Sequence, residues 1–371
     1  MENIAQEFNK KLLLNECIQC GVCTGSCPVA TRSYLNVRNI LREIAVFKRL
    51  KIPPEDQIWS CTTCSTCELR CPKQLSPLDM IIDIRSTLVE EGIVPATLKD
   101  ALESVFKHGN PWNQSRASRM EWATAFNLKH ISEGADILYF IGCTTAYDTR
   151  AQDIAKALIM CLNTTEVDFG VLDKDENCCG NEILGLGEQG LFELLIEDNT
   201  ELFEKYDVKS ILVSCPHGYN VFKNKYELDL KVQHHSQLLA ELINNGKLTF
   251  SKRIEKTATY HDPCFLGKHN GIFDEPRQII ENIPGIEFIE LDRIKNQSLC
   301  CEGGGGRMWF DVSGPNNAEK RVENAIDVGA ELLVTSCPFC VVTLDAAVKT
   351  LDKEDEIKVM DIAELILESV K

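Results

Sequence analysis

Hydrophobic positions divide the chain into a helical first part and a longer part in which strands and helices alternate. The stretch NVRNILREIAVFKRLKIPPEDQIW places its apolar residues on one face of a helix, which Pro53-Pro54 is expected to end. The stretch LSPLDMIIDIRSTLVEEG predicts another helix that begins at Ser76-Pro77. The pattern therefore predicts a small helical domain over residues 1–95.

Residues 96–136, which include HGNPWNQSRASRMEWA, are polar and rich in turn-forming residues, and they are predicted to form a connector. Beyond them, short apolar runs (VDFGVL, KSILVS, EFIEL, ELLVTS) alternate with helical runs such as QGLFELLIEDNTELFEKY and NNAEKRVENAIDVG. This alternation predicts α/β units with mainly parallel strands. The predicted fold class is a helical domain followed by two Rossmann-like α/β units, over residues 137–250 and 251–371.

The two predicted α/β units are repeats of each other. The corresponding segments are DILYFIGC and TATYHDPC, the Cys-Cys pairs at 178–179 and 300–301, and ILVSCPHG at 211–218 and LVTSCPFC at 333–340. The last two correspondences share an offset of 122 residues. The cysteines fall at predicted strand ends, where the loops of parallel sheets build sites.

Composition narrows the class of protein. The net charge of −17, from 56 acidic and 39 basic residues, argues against nucleic acid or an anionic membrane surface as a partner. The sequence contains no run of about 18 apolar residues, so neither a signal peptide nor a membrane span is predicted. A cytoplasmic protein is expected, associated with a membrane only through a partner subunit. Eighteen cysteines in such a long chain indicate metal binding or redox chemistry rather than a disulfide scaffold.

Eight of these cysteines form two copies of C-x2-C-x2-C-x3-C-P, in CIQCGVCTGSCP and CTTCSTCELRCP. This spacing is typical of a pair of [4Fe–4S] cubanes in which the fourth cysteine of each run binds the other cluster. The predicted ligand sets are Cys17, Cys20, Cys23 and Cys71 for one cubane, and Cys61, Cys64, Cys67 and Cys27 for the other. Zinc is the alternative, but zinc sites normally use two separated C-x2-C pairs. The clusters are expected to relay electrons.

The α/β units supply nine more thiols at equivalent positions. The second unit contributes Cys264, Cys300, Cys301, Cys337 and Cys340, which is more than one cubane or one zinc ion needs. The first unit contributes Cys143, Cys178, Cys179 and Cys215. Gly218 stands where the second unit has its fifth cysteine. The remaining cysteine, Cys161 in IAKALIMCLN, is expected to be a buried small hydrophobic residue.

The spacing of one cysteine, a Cys-Cys pair and a final C-P-x-C resembles the cysteine-rich CCG domain of heterodisulfide reductases. The whole chain is similar to the catalytic iron–sulfur subunit of the membrane-linked enzyme, or to a fusion of the two chains that carry the equivalent parts in the soluble enzyme. In that family a five-cysteine unit binds a noncubane [4Fe–4S] cluster, and two such clusters cleave the coenzyme M–coenzyme B disulfide. The resemblance implies that the five thiols of the second unit bind a noncubane cluster that serves as the active site. Glycines 303–306 would then bring backbone N–H groups close to that cluster.

Two positions depart from the family pattern. Glu302 stands where the motif has glycine, and its charge, if ionised, would lower the potential of the adjacent cluster. Gly218 removes the fifth thiolate of the first unit, so that unit could hold a zinc ion, a cubane, a noncubane cluster lacking one thiolate, or no metal. His217 is either an additional ligand there or a structural residue.

Two hypotheses about function follow. In the first, the cubanes deliver electrons to the noncubane cluster, which reduces a disulfide or oxidises thiols, with His261 and Asp262 either donating protons or fixing a turn. In the second, the chain transfers electrons from a flavoprotein to a membrane quinone or cytochrome partner and has no substrate site of its own. Both require a partner subunit, since no G-x-G-x-x-G fingerprint for a flavin or nicotinamide is present. A flavoprotein is the expected donor or acceptor.

Overall fold

The computed structural model describes residues 6, 8, 10–51 and 55–370. Its described residues up to position 108 form helices and turns, without a strand. The α-helices of this part are α1 Val22–Gly25, α2 Ala30–Ser33, α3 Val37–Ala45, α4 Glu55–Ile58, α5 Thr66–Leu69, α6 Pro77–Glu90 and α7 Ala96–His108. A short 3₁₀ helix, Leu14–Glu16, precedes them. The prediction of a helical first part is thus confirmed for the described residues.

The two helices predicted from periodicity differ in outcome. Helix α6 begins at Pro77 as predicted, because proline at the first helical position has no N–H to leave unpaired. Helix α3 begins after Asn36, whose side chain accepts the N–H of Asn39, and it ends at Ala45, earlier than predicted. Shortly after that end, Lys48 adopts a left-handed φ of 52°, which is incompatible with helix. The predicted Pro53-Pro54 terminator lies outside the described residues.

The rest of the protein is built on two four-stranded sheets, both fully parallel. Their strands are β1 Ile137–Phe140, β2 Phe169–Gly170, β3 Ser210–Val213, β4 Lys231–His234, β5 Lys256–Tyr260, β6 Ile286–Phe288, β7 Leu332–Thr335 and β8 Lys358–Asp361. The strand orders are β2-β1-β3-β4 and β6-β5-β7-β8. The two units therefore repeat the same topology, and the predicted α/β class with parallel strands is confirmed. The more specific Rossmann-like description stays a prediction.

Helices connect and cover the parallel strands, as parallel pairing requires. They are α8 Cys143–Tyr147, α9 Thr149–Leu162, α10 Asn181–Gly185, α11 Gln189–Lys205, α12 Pro216–Asn224, α13 His235–Asn244, α14 Cys264–Gly267, α15 Asp274–Asn282, α16 Asn317–Asp327, α17 Pro338–Thr350 and α18 Ile362–Val370. Cys161 is buried within α9, with its Sγ atom 3.6 Å from the carbonyl oxygen of Ala363. Among the described residues, no helix combines the length and apolarity needed to cross a membrane.

The stretch predicted as a connector is more ordered than its polar composition suggests. It contains α7, which buries Leu98 and Ala101 among other residues, followed by three 3₁₀ segments that end at Glu133. A parallel bridge between His130 and Val171 joins this stretch to the first unit. Buried apolar residues on one face of α7 thus fix it against the core.

Arg85 connects the helical part to both α/β units. Its guanidinium is fully buried and donates to the carbonyl oxygens of Ile58, at 3.0 and 3.2 Å, and of Cys61, at 2.8 Å. It also donates to the carbonyl oxygens of Gly185, at 2.8 Å, and of Gly305, at 3.2 Å. One planar group with five N–H donors therefore satisfies carbonyls from three parts of the chain.

Candidate metal centres

Cys27 of the first cysteine run lies near the second run. Burial raises the pKa of the Cys27 thiol, and the nearby charges of Cys61 and Cys64 raise it further. Burial and the charges of Cys61, Cys64 and Cys27 likewise raise the pKa of Cys67. These four thiols are mutual neighbours, although Cys27 is 34 residues before Cys61 in the sequence. Their assignment as one ligand set stays a prediction, and their proximity is compatible with it.

The first cysteine run lies nearer the surface. Burial and the charges of Cys17 and Cys20 raise the pKa of Cys23, which places these three thiols together. Cys20 is exposed, whereas Cys23 is buried. The turn that follows Cys71 approaches the same place, since Nζ of Lys73 lies 3.8 Å from Oε2 of Glu16. The N–H of Leu75 points at the Cys71 Sγ atom at 3.4 Å.

The five cysteines of the second unit converge in a sealed site. The Sγ atoms of Cys301 and Cys340 are 3.2 Å apart. Cys264 and Cys300 pack in one buried cluster, and Cys337 and Cys340 pack with Cys301 in another. All five are buried, and the most exposed of them, Cys264, is only 7% exposed. The structure therefore brings together every thiol that the repeat pattern assigned to this unit.

The four cysteines of the first unit line one cavity of about 40 Å³. Cys143, Cys178, Cys179 and Cys215 all contribute to its wall. The cavity wall consists of these cysteines together with Ala101, Pro111, Phe140, Gly142, Thr144, Asn181, Glu182, Ile183, Leu186, Val213, His217, Gly218, Trp309 and Phe339. Unlike the second site, this one retains an enclosed space between its thiols.

Thiol contacts link the sites in series. Cys64, from the second cubane run, packs with Cys264 and Cys300 in one buried cluster. At the other side of the second unit, Cys215 of the first unit packs against the buried cluster that contains Cys337. The order of sites in space is therefore the second cubane site, the five-cysteine site and the four-cysteine site.

The donor set fits iron–sulfur clusters. Burial raises the pKa of Cys67 and of Cys215 well above the usual value, so these thiols would remain protonated without a cation nearby. The seventeen cysteines of the predicted sites form no disulfides. Thiolate-only sites select soft metals such as iron in clusters or zinc, and the five-thiol site exceeds the four ligands of zinc. Clusters held here would supply one-electron redox chemistry.

Backbone geometry repeats at the two Cys-Cys pairs. The N–H of Gly180 points at the Cys178 Sγ atom, and the N–H of Glu302 points at the Cys300 Sγ atom, both at 3.4 Å. The φ angles are 86° at Gly180 and 68° at Glu302, so both residues are left-handed. Glycine suits this conformation best, which explains why glutamate is the unusual residue at position 302.

The carboxylate of Glu302 is paired with two arginines. Its carboxylate is buried and lies 2.6 Å from Nη1 of Arg32 and 3.5 Å from Nη2 of Arg307. The N–H of Asn317 donates to it at 3.0 Å. Because Arg32 belongs to the helical part, Glu302 joins that part to the second unit.

The four-glycine run has a second use that the sequence did not reveal. A Cβ atom at Gly305 would lie 2.3 Å from the carbonyl oxygen of Cys61, and one at Gly304 would lie 3.1 Å from that of Thr62. The run therefore passes directly against the backbone of the second cubane loop. Its N–H group at Gly306 donates to Oε2 of Glu182 at 2.8 Å, not to a sulfur.

Of the two candidate proton donors, Asp262 is structural. Its carboxylate forms two hydrogen bonds with Arg277, at 2.7 and 3.0 Å, and accepts the N–H of Lys295 at 2.8 Å. His261 does face the site, because its ring nitrogen and the Sγ atoms of Cys301 and Cys340 lie within 4.8 Å of one another. Burial, together with the neighbouring Arg321, lowers the pKa of His261 to about 3, so its ring is neutral.

His217 lines the four-cysteine cavity and also packs on Phe339 of the second unit. Its ring stacks on Phe339, with centroids 4.4 Å apart, and its Nδ1 atom is 2.7 Å from Oε1 of Glu182. Burial by itself disfavours the charged ring, but Glu182 and Cys337 more than offset burial and raise the pKa of His217 to about 10. The sequence offered no signal for Glu182, which belongs to a different loop, 35 residues away.

Two buried cations near the thiols likewise have no signal in the sequence. Nζ of Lys268 donates to the Thr66 hydroxyl at 2.8 Å, and that hydroxyl lies 3.3 Å from the Cys64 Sγ atom. Arg119 pairs with Glu176, and its Nη2 atom is 3.9 Å from the Cys143 Sγ atom. Positive charge next to thiolates offsets the negative charge of a cluster.

Comparisons with known proteins agree with this arrangement. Residues 13–75 match the family described as 4Fe-4S dicluster domain, and residues 137–223 and 258–345 match the Cysteine-rich domain family, CCG. The probable iron-sulfur-binding oxidoreductase FadF of Bacillus subtilis is 37% identical over 85% of this chain and 47% of its own length. The EtfAB:quinone oxidoreductase of Syntrophomonas wolfei is 31% identical over 100% of this chain and 60% of its own length.

A third relative is matched over nearly all of its length. It is one of the subunits of the dihydromethanophenazine:CoB–CoM heterodisulfide reductase of Methanosarcina mazei, 31% identical over 96% of this chain and 93% of its own length. By contrast, the chain spans only about half the length of the first two relatives. Because the two family matches cover more than half of the sequence in the order dicluster, CCG, CCG, the chain belongs to the family of iron–sulfur oxidoreductases that join a 4Fe-4S dicluster domain to two CCG domains.

Proposed function

We propose that the protein is the iron–sulfur subunit of a redox complex of heterodisulfide reductase type. Two cubanes pass electrons to a noncubane cluster held by the second unit, and a disulfide is reduced there or, in reverse, two thiols are oxidised. The observation that carries the proposal is the series of packed thiols, in which Cys64 packs with Cys300 and Cys215 packs against the cluster that contains Cys337. Electron transfer needs such closely spaced sites, and a purely structural metal protein does not.

The overall reaction requires two electrons and two protons for each disulfide, RSSR′ + 2e⁻ + 2H⁺ → RSH + R′SH. The electrons come one at a time from a reduced flavoprotein partner, and the protons come from solvent. Close to the thiol series, His217 holds a proton on a ring nitrogen between Glu182 and Cys337. This residue can stabilise the negative charge that forms on a sulfur next to it before a proton arrives.

A second candidate function is electron transfer between a flavoprotein and a membrane quinone or cytochrome partner, without a substrate site. The match of the whole chain to the EtfAB:quinone oxidoreductase of Syntrophomonas wolfei favours this candidate. The exposed Cys20 and its apolar neighbour Ile18, which is 62% exposed, provide a place where a redox partner can approach the first cubane site.

Anaerobically purified protein would distinguish these functions. Reduced viologen with the coenzyme M–coenzyme B disulfide tests the first, and reduced electron-transferring flavoprotein with a quinone analogue tests the second. We expect disulfide reduction by the cluster-replete chain. Iron content sets the cluster number, since about twelve irons indicate two cubanes and one further cluster and about sixteen indicate two further clusters. No disulfide turnover, together with rapid quinone reduction, would reject the first function in favour of the second.

A further inference from the structure

We propose that the first α/β unit is the substrate-facing end of the series of sites. A small thiol or disulfide binds there, at the position that Gly218 leaves without a protein ligand. This inference rests on the proposed function and changes one part of it, because the family resemblance implies an active site at the five-cysteine unit. Four observations carry it: the space at Gly218, the adjoining groove, the sealing of the other unit, and unpaired donors at the wall.

The glycine at position 218 is not required by the backbone. Its φ angle lies outside the left-handed region, and a Cβ atom built there would contact Phe222, Val213 and Cys179 at 3.8 to 3.9 Å, which is ordinary van der Waals distance. That Cβ atom would lie 3.9 Å from the Cβ atom of Cys179. A cysteine could therefore stand here with its side chain beside the other thiols. Glycine leaves the backbone unchanged and removes only the fifth donor.

A surface groove of about 510 Å³ adjoins the four-cysteine cavity. Its wall is formed by Thr97, Asp100, Ala101, Glu103, Ser104, Lys107, Pro111, Trp112, Asn113 and Trp309. Three of these residues, Ala101, Pro111 and Trp309, also line the cavity. These shared residues thus form a common wall between the cavity that holds the thiols of the first unit and a groove open to solvent. A site with a free ligand position needs such a route.

The five-cysteine site contrasts with this arrangement. Each of its thiols is buried, while Cys143, Cys179 and Cys215 of the first unit are only partly buried. The second unit also contacts thiols on both sides, through Cys64 and through Cys215. A complete ligand set in a sealed site between two others suits electron relay. A catalytic site instead keeps an open position.

The wall between groove and cavity carries unused hydrogen-bond donors. The rings of Trp112 and Trp309 meet edge to face, with centroids 5.5 Å apart. The Nε1 atoms of both indoles are buried, and neither finds an acceptor within the part of the chain that the structure describes. Buried N–H groups normally have partners, so these donors suit an acceptor that a ligand brings. The expected ligand is a small thiol or disulfide with a carboxylate or a similar acceptor a few bonds from sulfur.

Two substitutions of Gly218 test the open position. Gly218→Cys supplies the missing thiolate, and Gly218→Ala is the matched control that adds bulk without a ligand. The probe is 3-mercaptopropionate, titrated into anaerobic cluster-replete protein while the EPR spectrum and the tryptophan fluorescence are recorded. We expect Gly218→Cys to weaken the response at least about tenfold, because a tethered thiolate competes at a high effective concentration. Gly218→Ala should keep the response.

The outcomes separate this inference from the proposed function. If Gly218→Cys responds as the wild type does, if Gly218→Ala loses the response to the same degree, or if the wild type shows no response, the inference is wrong. Zinc in place of iron in the first unit would also overturn it. Binding of the probe without any disulfide turnover would refute the proposed function alone. Turnover with an unchanged response in Gly218→Cys would refute this inference alone.

A substitution at the wall tests the route independently of the fold around Gly218. Trp309→Phe keeps an aromatic ring in place and removes one N–H donor. We expect the affinity for 3-mercaptopropionate to fall about fivefold, as the loss of one hydrogen bond predicts, and the affinity for 2-mercaptoethanol to change little. Trp122→Phe, which lies outside both groove and cavity, is the control for fluorescence. Equal affinities of wild type and Trp309→Phe for both thiols would exclude Trp309 from the binding site.

Discussion

The packing of Gly305 against the second cubane loop predicts a large effect for a single methyl group. In Gly305→Ala, the new Cβ atom would lie 2.3 Å from the carbonyl oxygen of Cys61 and within 3 Å of two backbone atoms of Thr62. Both neighbours are backbone, so they cannot rotate away as a flexible side chain can. The loop that bears the second cysteine run must therefore shift.

The expected loss of stability in Gly305→Ala has two parts. Alanine at a φ of 68° costs about 1 kcal/mol, because the left-handed region is strained for residues with a Cβ atom. Overpacking against fixed neighbours adds about 1–3 kcal/mol. The control is Gly329→Ala, since Gly329 has a φ of 78° and a Cβ atom there would meet nothing within 4 Å. We expect a loss of about 2–4 kcal/mol for Gly305→Ala and of about 1 kcal/mol for Gly329→Ala.

Anaerobic urea unfolding, followed by tryptophan fluorescence and by cluster absorbance, measures this difference. The Gly305 variant should unfold at lower urea than the Gly329 variant, and it should lose iron to a chelator faster, because the shift falls on the loop that carries Cys61. Equal midpoints and equal rates of iron loss in the two variants would refute the reasoning. In that case the close approach of Gly305 to Cys61 would not contribute to holding the cluster loop.

Three further predictions follow from buried charges and from the thiol sites. Asp262→Asn should destabilise the protein by about 3 kcal/mol, since it leaves the buried guanidinium of Arg277 underpaired, yet iron content should stay unchanged; iron loss in the folded variant would contradict a structural role. Lys268→Met should lower the potential of the cubane near Cys64 by on the order of tens of millivolts in a redox titration, while Lys295→Met, at a partly exposed position, should not. Removal of iron by a chelator should cause loss of helical circular dichroism, because buried thiols lose the cations that hold them together; an unchanged spectrum would mean that the fold does not depend on metal.

Local sequence patterns are sufficient to predict much of the candidate site. The two C-x2-C-x2-C-x3-C-P runs place three thiols within seven residues, so their grouping needs no tertiary information. The repeat of 122 residues likewise predicted which cysteines of the two units correspond, and the strand orders of the sheets agree with it. Helix α6 could be placed from Ser76-Pro77, whereas the end of α3 could not, because no stop signal stands at Ala45.

The order of the sites in space was decided by tertiary structure alone. Cys64 meets Cys300 across 236 positions, and Cys215 meets Cys337 across 122, and nothing in one sequence states such pairings. The groups that hold the sites together are equally distant in sequence, as with Arg85, which donates to Gly305. Spacing along the chain groups the three thiols of each C-x2-C-x2-C triplet, because that constraint is short-range. Which cluster lies next to which, and which one faces a groove, depends on how whole units pack.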